Sequence, residues 1–300
     1  VLEALNLDSS YKFLAFDRSR PTNRSPIMIG TIEVPHELLE LEGLRYCPTC
    51  LSEKAYLRKI WTLKPIHACP IHSCLLIYSC PQCKNFLLPK TGALNCSRCG
   101  FKLDKGPVQK VKSMESIYWF LDILTHSSNE VFSDFASCWK AFNSFLKDDN
   151  SNTNENIFFK VYEYFSDPET SAIKLSENIN SRSENSHPRI LLLPFLKHKK
   201  LFNKHIKITE KNSSEYRISE NSISRNLRNY EIQPILNISR FEIEKLIEND
   251  FLKLGQKELY KGDIASRDIE HFLINTYSQP KSALLTSIEA PADNDSMQLK

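Results

Sequence analysis

Apolar residues recur at every third or fourth position in two stretches beyond residue 112, which is the spacing of one helix face. The first stripe consists of Ile117, Phe120, Leu121 and Leu124, and the second of Phe135, Trp139, Phe142 and Leu146. Two polar segments, 148–156 and 176–189, interrupt the pattern and predict breaks between helices. The middle of the chain is therefore predicted to be helical.

The pattern near the C-terminus predicts two more helices, the first of them preceded by a tight turn. Ser239 and Glu242 have the spacing of a capping box, and Ser266 is placed to cap the later helix. Their apolar stripes are Ile243, Leu246 and Ile247, and then Ile269, Phe272 and Leu273. The turn at 236–239 is typical of a helix-turn-helix near 230–273, although Pro234 is expected to interrupt its first helix.

Four regions are expected along the chain. They are the remainder of an N-terminal domain (1–44), a tandem zinc-binding region (45–105), a helical domain (106–278) and a disordered tail (279–300). Leu38, Leu39 and Leu41 are expected to pack on the second region as an apolar lid. Because the chain starts with Val1 rather than Met, we also expect a missing N-terminal segment.

Composition and charge narrow the class of protein. The 300 residues are 41% hydrophobic and 25% charged, and 17 Phe and 11 Tyr against 7 Gly favour packed helices. No apolar run has the length of a membrane span and no signal segment opens the chain, so we expect a cytoplasmic protein without membrane contact. The net charge of +3 does not by itself indicate nucleic-acid binding.

Pairs of metal-binding residues separated by two positions dominate the region 45–105. They are Cys47 and Cys50, Cys69 and His72, Cys80 and Cys83, and Cys96 and Cys99. In a reducing compartment such pairs favour zinc over disulfides. Taken in chain order, the first four residues would bind one ion and the last four another, while a cross-braced pairing stays open. His67 is expected to be an ordinary side chain and Cys74 a small buried or half-exposed thiol.

Both predicted sites have four protein ligands and leave no position for water, which indicates two structural Zn²⁺ ions and no catalysis. The predicted fold class is therefore mainly α with two small zinc-ribbon modules, in several domains, with a C-terminal helix-turn-helix-like helical domain. Tyr56, Ile60 and Trp61, within the first metal loop, are expected to form a small core there.

Basic residues suggest contacts with nucleic acid or a partner, although a solvated surface is the alternative. From Arg45 to Lys105 there are ten Lys/Arg and two Asp/Glu, which leaves about +5 after two zinc ions are bound. The candidate contacts are Arg58, Lys59, Lys197, Lys199, Lys200, Lys204, Arg240 and Lys245. The helix that follows Ser239 also carries Glu242, Glu244 and Glu248, which would repel phosphates, so it suits a protein surface better than DNA.

The segment RYCPTCLSEKAYLRKIWTLKPIHACPIHSCLLIYSCPQC, with the later CSRCG, resembles the TniQ/TnsD family of transposition target-selection proteins. All eight ligand positions match the family pattern, over about sixty residues. The C-terminal helix-turn-helix is similar to a later domain of that family, though less specifically. Cys74 and Pro234 depart from the expected pattern.

The resemblance implies a non-enzymatic adaptor that links a target-recognition element to an AAA+ ATPase regulator of transposition. For the CRISPR-associated type, which we favour, the resemblance implies docking as a homodimer on a Cascade complex with its guide RNA and target DNA, in a bacterial cytoplasm. The alternatives are a TnsD-like protein that binds a DNA attachment site directly and a zinc-dependent transcription regulator.

Overall fold

The computed structural model describes residues 27–29, 32–40, 43–87, 94–147, 153–182, 186–202, 226–253 and 263–275. The chain is mainly helical with small two-stranded sheets, as the sequence predicts. It divides into two compact units, one of residues 1–140 with 149–162 and one of residues 141–148 with 163–300.

Eleven helices lie in the described part of the chain. They are α1 Pro48–Glu53, α2 Glu115–His126, α3 Asn129–Phe145, α4 Asn154–Ser166, α5 Pro168–Arg182, α6 Pro188–Leu191, α7 Leu193–Leu196, α8 Lys199–Phe202, α9 Asn229–Leu236, α10 Arg240–Glu248 and α11 Ser266–Asn275. Short 3-10 turns occur at His36–Leu38, Lys59–Thr62 and Leu103–Lys105.

The strands form three antiparallel pairs, each of two or three residues per strand. The pairs are β1 Ile27–Ile29 with β2 Ile32–Val34, β3 Ala68–Cys69 with β4 Cys74–Leu75, and β5 Asn226–Leu227 with β6 Ile264–Ala265. Such short pairs cannot form a layer of their own, so side-chain packing and metal ligands must stabilise the regions that contain them.

The first unit has an aromatic core from α2, α3 and α4. Phe120 packs on Phe135 with ring centroids 4.9 Å apart and on Phe158 at 5.9 Å, and all three rings are buried. The predicted stripe of α2 is buried at Ile117, Phe120 and Leu124, with Leu121 half-buried. The predicted lid residues Leu38 and Leu39 are buried, and Leu39 forms a bridge with Leu63, while Leu41 lies outside the described residues.

The second unit contains the end of the α3 stripe and the C-terminal helices. Phe142 packs edge-on against Phe195 at 5.3 Å, and Phe202 lies 5.1 Å from Phe195. A separate apolar cluster joins α9, α10 and α11 with Leu227 and Ile264. The predicted break at 176–189 is wrong in its first half, because α5 continues to Arg182 with Leu175 and Ile179 buried.

The helix α9 runs through Pro234, contrary to the prediction that this proline interrupts it. Burial of Ile232, Ile235 and Leu236 stabilises the eight-residue helix and outweighs the one backbone hydrogen bond that the proline removes. Asn237 then turns the chain in the left-handed conformation, with φ of 56°, and Ser239 begins α10 with the predicted capping box.

Among the residues that the structure describes, no helix combines the length and the apolar character that a bilayer crossing requires.

Candidate metal centres

Two groups of four metal-binding side chains come together in the first unit, in chain order. The first group is Cys47, Cys50, Cys69 and His72, and the second is Cys80, Cys83, Cys96 and Cys99. Within each group all ligand atoms lie within 4.8 Å of one another, so each could hold one metal ion. The cross-braced pairing is not the one that the structure adopts.

A repeated backbone turn brings three of the four ligand pairs together. Ser73, Lys84 and Gly100 each follow the second ligand of a pair and have positive φ values of 48°, 58° and 74°. Each donates its N–H to the carbonyl oxygen of the first ligand at 2.9 Å. The left-handed residue reverses the chain directly after the second ligand, and Gly100 adopts this conformation without the steric cost that Ser73 and Lys84 carry.

The first pair is built differently, because it continues into a helix. Cys47 is the N-cap of α1, and its Sγ accepts the N–H of Cys50 at 3.4 Å. Pro48 occupies the first helical position, where its missing N–H costs nothing. The helix therefore aims Cys47 and Cys50 at the same point.

The first group has the dimensions of a tetrahedral zinc site. With Zn–S of about 2.3 Å and Zn–N of about 2.0–2.1 Å, sulfur atoms of a tetrahedron lie about 3.8 Å apart and sulfur and nitrogen about 3.5 Å apart. Cys50 Sγ lies 3.5 Å from Cys69 Sγ. His72 Nδ1 lies 3.6, 3.2 and 3.8 Å from the sulfurs of Cys47, Cys50 and Cys69. The ligand atom of the histidine is therefore Nδ1.

The second group has the dimensions of a four-sulfur site. Cys80 Sγ lies 3.6 Å from Cys99 Sγ, and Cys83 Sγ lies 3.7 Å from Cys96 Sγ. Cys80 and Cys96 are buried, whereas Cys99 is exposed. Both groups fit a closed structural metal site, and the four thiolates of the second are typical of zinc.

Hydrogen bonds lower the pKa of one thiol in each group. A hydrogen bond from the Cys69 side chain, followed by one from the N–H of Cys50, lowers the pKa of Cys47 to about 4 despite burial. The same hydrogen bond raises the pKa of Cys69. Backbone N–H groups of Cys99 and Arg98 lower the pKa of Cys96 to about 6. Each group therefore has a thiolate ready to receive a cation, which favours metal binding.

Three side chains around the first group hydrogen-bond its ligands. Glu53 Oε1 lies 2.8 Å from His72 Nε2, and the Arg58 Nε–H donates to Cys50 Sγ at 3.4 Å. Cys74 is fully buried with its Sγ 3.4 Å from Cys47 Sγ. Sequence reasoning did not assign Glu53, although its position three residues after Cys50 on the same short helix could have indicated it.

A half-buried arginine braces the loop between the ligands of the first group. Arg45 donates to the carbonyl oxygens of Leu63 at 2.6 Å, Ile66 at 3.2 Å and Lys64 at 3.4 Å. Burial lowers the pKa of Arg45 to about 10. Arg45 entered the prediction only through the net charge of its region, but in the structure it orders the loop that leads to Cys69.

The core predicted for this loop is correct at two of three positions. Ile60 and Trp61 are buried, but Tyr56 is 45% exposed and lies under the Arg58 guanidinium, 5.0 Å from the ring centroid. His67 is outside the metal group, as predicted, and its ring packs on Phe158 at 5.8 Å.

Several of the candidate basic contacts are engaged within the protein. Arg58 bonds Cys50, and Lys197 Nζ pairs with Glu231 Oε1 at 2.7 Å. Arg240 Nε pairs with Glu244 Oε1 at 2.9 Å within α10.

The other candidates differ in exposure and in what the structure describes. Lys245 Nζ lies 4.6 Å from the ring centroid of Phe241. Lys59 and Lys200 are exposed. The side chain of Lys199 and all of Lys204 lie outside the described residues, as does the predicted tail 279–300.

Comparison with known proteins supports the resemblance drawn from the ligand pattern. Residues 3–76 match the model of the TniQ family. This segment is about a quarter of the chain and includes all four ligands of the first metal group. No curated protein matches the chain.

Proposed function

We propose that this chain is a non-enzymatic adaptor that directs transposon insertion by linking a DNA-bound CRISPR Cascade complex to an AAA+ transposition regulator. The observation that carries the proposal is the TniQ match over residues 3–76, which ends just after the ligands of the first metal group. The metal ions, two zinc ions per chain in this proposal, act as structural supports. The adaptor works as a homodimer in a bacterial cytoplasm.

The surface of α10 supports docking on a protein rather than base recognition. Arg240 is paired with Glu244 on the same helix, and Lys245 lies over the ring of Phe241. Phe241 itself is 63% exposed. A helix whose arginine is already paired with a carboxylate would have little attraction for phosphates, whereas an exposed aromatic ring beside an ion pair is typical of a protein interface.

Direct binding of a DNA attachment site is the second candidate function, and the metal-binding region favours it. Lys54, Lys84, Arg98, Lys102 and Lys105 are all exposed there. Such an excess of cations would attract a DNA duplex with strong salt dependence. A zinc-dependent transcription regulator would share this property and would not need a transposition partner.

Co-purification and DNA titration separate these functions. The full chain, zinc-loaded, is mixed with Cascade carrying guide RNA and target DNA, and with the AAA+ regulator, and retention is measured. In parallel it is titrated against duplex DNA at two salt concentrations. We expect retention by both proteins and weak duplex binding. Tight duplex binding that falls steeply with salt, without retention by Cascade, would contradict the adaptor proposal.

A variant pair tests the docking surface on α10. Replacing Phe241 with Ala removes an exposed aromatic side chain, and we expect retention by Cascade to weaken at least about tenfold, as for an interface anchor. Ile173→Ala is the matched control, because Ile173 is 59% exposed on α5 in the same unit. Equal retention of both variants would exclude α10 from the interface. Size-exclusion chromatography with light scattering tests the homodimer.

A further inference from the structure

We propose that Glu53, Arg58 and Cys74 are positioning residues of the first metal site, each holding a different ligand in place. The inference depends on the metal groups and not on the proposed role in transposition. Arg58 is thereby assigned to the metal site rather than to a contact with nucleic acid. The two metal sites are also expected to differ in their affinity for zinc.

Glu53 determines which nitrogen of His72 faces the metal. Its carboxylate accepts the Nε2 proton of His72 at 2.8 Å, so the proton stays on Nε2 and the lone pair of Nδ1 is free. Nδ1 is the atom that lies among the three sulfurs. A carboxylate behind a histidine ligand also increases the basicity of that ligand, which strengthens its bond to the metal.

The positive charge of Arg58 offsets the negative charge of the first metal site. Three thiolates, a neutral histidine and Zn²⁺ carry a net charge of −1. The Nε–H of Arg58 donates to Cys50 Sγ at 3.4 Å, and the guanidinium lies over the Tyr56 ring at 5.0 Å, which orients the donor. The hydrogen bond neutralises the site and restrains the rotation of the Cys50 side chain.

Cys74, on strand β4, is the third positioning residue. It is the cross-strand partner of the ligand Cys69 in the β3–β4 pair, and its Sγ lies 3.4 Å from Cys47 Sγ. It does not belong to the group of ligand atoms that lie within 4.8 Å of one another. Cys74 is therefore placed as an S–H donor to the Cys47 thiolate.

Within the part of the chain that the structure describes, the second site has weaker side-chain supports of this kind. Gln82 Oε1 lies 3.8 Å from Cys99 Sγ and is a neutral partner. Arg98 lies between the ligands Cys96 and Cys99 in the sequence. Its guanidinium donates to Asn85 Oδ1 at 2.6 Å rather than to a ligand sulfur. Four thiolates and Zn²⁺ give the second site a net charge of −2. Its ligand Cys99 is exposed, whereas the three cysteines of the first site are buried. We therefore expect the second site to release zinc first.

Residue-resolved alkylation measures release at each site separately. The zinc-loaded full chain is incubated with increasing concentrations of a chelator and a thiol-alkylating reagent, and modification of each cysteine is read by mass spectrometry after digestion. For the wild type we expect alkylation of Cys83 and Cys99 at lower chelator concentration than that of Cys47 and Cys50. The reverse order would overturn the inferred inequality of the sites.

Three variants test the assignment, and all are read by the same method. Arg58→Met removes the hydrogen bond to Cys50. Glu53→Gln replaces a carboxylate that can only accept with an amide that can also donate, so the proton of His72 is no longer held on Nε2. Both changes nearly keep the side-chain volume. We expect the chelator concentration that exposes Cys47 and Cys50 to fall about 10- to 100-fold, the usual effect of losing such a support, with the second site unchanged. Arg58→Lys keeps the charge without the planar donor and should restore only part of the affinity. Lys54→Ala, which removes an exposed cation of the same region, is the matched control and should leave both sites unchanged.

Two outcomes would contradict the proposal. If Arg58→Met and Glu53→Gln leave release from Cys47 and Cys50 unchanged, the contacts seen in the structure do not position the ligands. If they accelerate release at both sites equally, the variants act on the stability of the whole region and not on the first site. A second measurement separates these cases, because Co²⁺ bound at the first site absorbs visible light according to its ligand geometry. A shifted cobalt spectrum in Glu53→Gln supports the positioning role.

Discussion

Several single residues of this protein fix the backbone or side-chain conformation of their neighbours. Ser73, Lys84 and Gly100 close three of the ligand turns, and Glu53 selects the nitrogen that His72 presents. In the second unit, the buried carboxylate of Glu270 accepts hydrogen bonds from Ser186 Oγ at 2.6 Å and from the N–H of His187 at 2.9 Å. Glu270 thereby satisfies the His187 N–H, which burial would otherwise leave unpaired.

The buried imidazole of His187 predicts acid sensitivity of the second unit. Burial, followed by the charge of Arg189, lowers the pKa of His187 to about 3, against about 6.5 in the unfolded chain. The unfolded state therefore binds the extra proton. Stability from this group is complete above about pH 6.5 and is lost at about 1.4 kcal/mol per pH unit as the pH falls toward 3.

The measurement is the urea midpoint as a function of pH between 4 and 8. His187→Asn keeps a side-chain acceptor for the N–H of Arg189 but does not titrate in this range, so we expect a shallower loss of stability below about pH 6.5 than in the wild type. Identical slopes for the two proteins would show that His187 is not buried in its neutral form.

A left-handed residue ends α9 and a capping side chain begins α10. The turn between α9 and α10 uses both devices, with Asn237 in the left-handed conformation and Ser239 as the N-cap. Ser239 Oγ accepts the N–H of Glu242 at 3.3 Å, and Glu242 Oε2 accepts the N–H of Ser239 at 2.7 Å. This reciprocal pair was predictable because both partners are three residues apart in sequence.

Loss of this cap is expected to destabilise α10. Ser239→Ala leaves the N–H of Glu242 without its acceptor, and the free energy of unfolding should fall by about 1 kcal/mol. Urea unfolding followed by circular dichroism gives the value. Glu248→Ala, at the other end of the same helix, is the control and should be neutral or slightly stabilising, because a carboxylate is unfavourable near a helix C-terminus. Equal midpoints for Ser239→Ala and wild type would exclude the cap.

At the scale of the whole molecule, the two units are stabilised by different means. The first unit combines two metal groups with an aromatic core on α2, α3 and α4, whereas the second contains apolar clusters and, within its described residues, no metal group. Strand pairs of two residues cannot hold the region 45–105 together without the metal ions.

Metal removal should therefore unfold one region and spare the rest. Metal analysis of the full chain is expected to give two zinc ions, and chelation should expose 45–105 to proteolysis while most of the helical circular-dichroism signal persists. The second unit should survive as a protected fragment. Loss of the whole helical signal on chelation, or one zinc ion or none per chain, would contradict this division.

The sequence by itself determined whatever depends on residues close together in the chain. Ligand pairs with two intervening residues, the capping box of α10 and the apolar stripes of α2 and α3 could all be predicted, because their spacing corresponds directly to local geometry. The family resemblance rested on the same ligand pairs.

Only the tertiary structure decided which distant groups meet. Glu53 and His72 are 19 residues apart, and Glu270 lies 84 residues from Ser186. The helix through Pro234 and the extension of α5 were mispredicted for the same reason, since burial outweighed the local preference for a break. Arg58, predicted as a contact for nucleic acid or a partner, bonds the metal ligand Cys50, because the fold of the first metal loop brings its guanidinium to the sulfur.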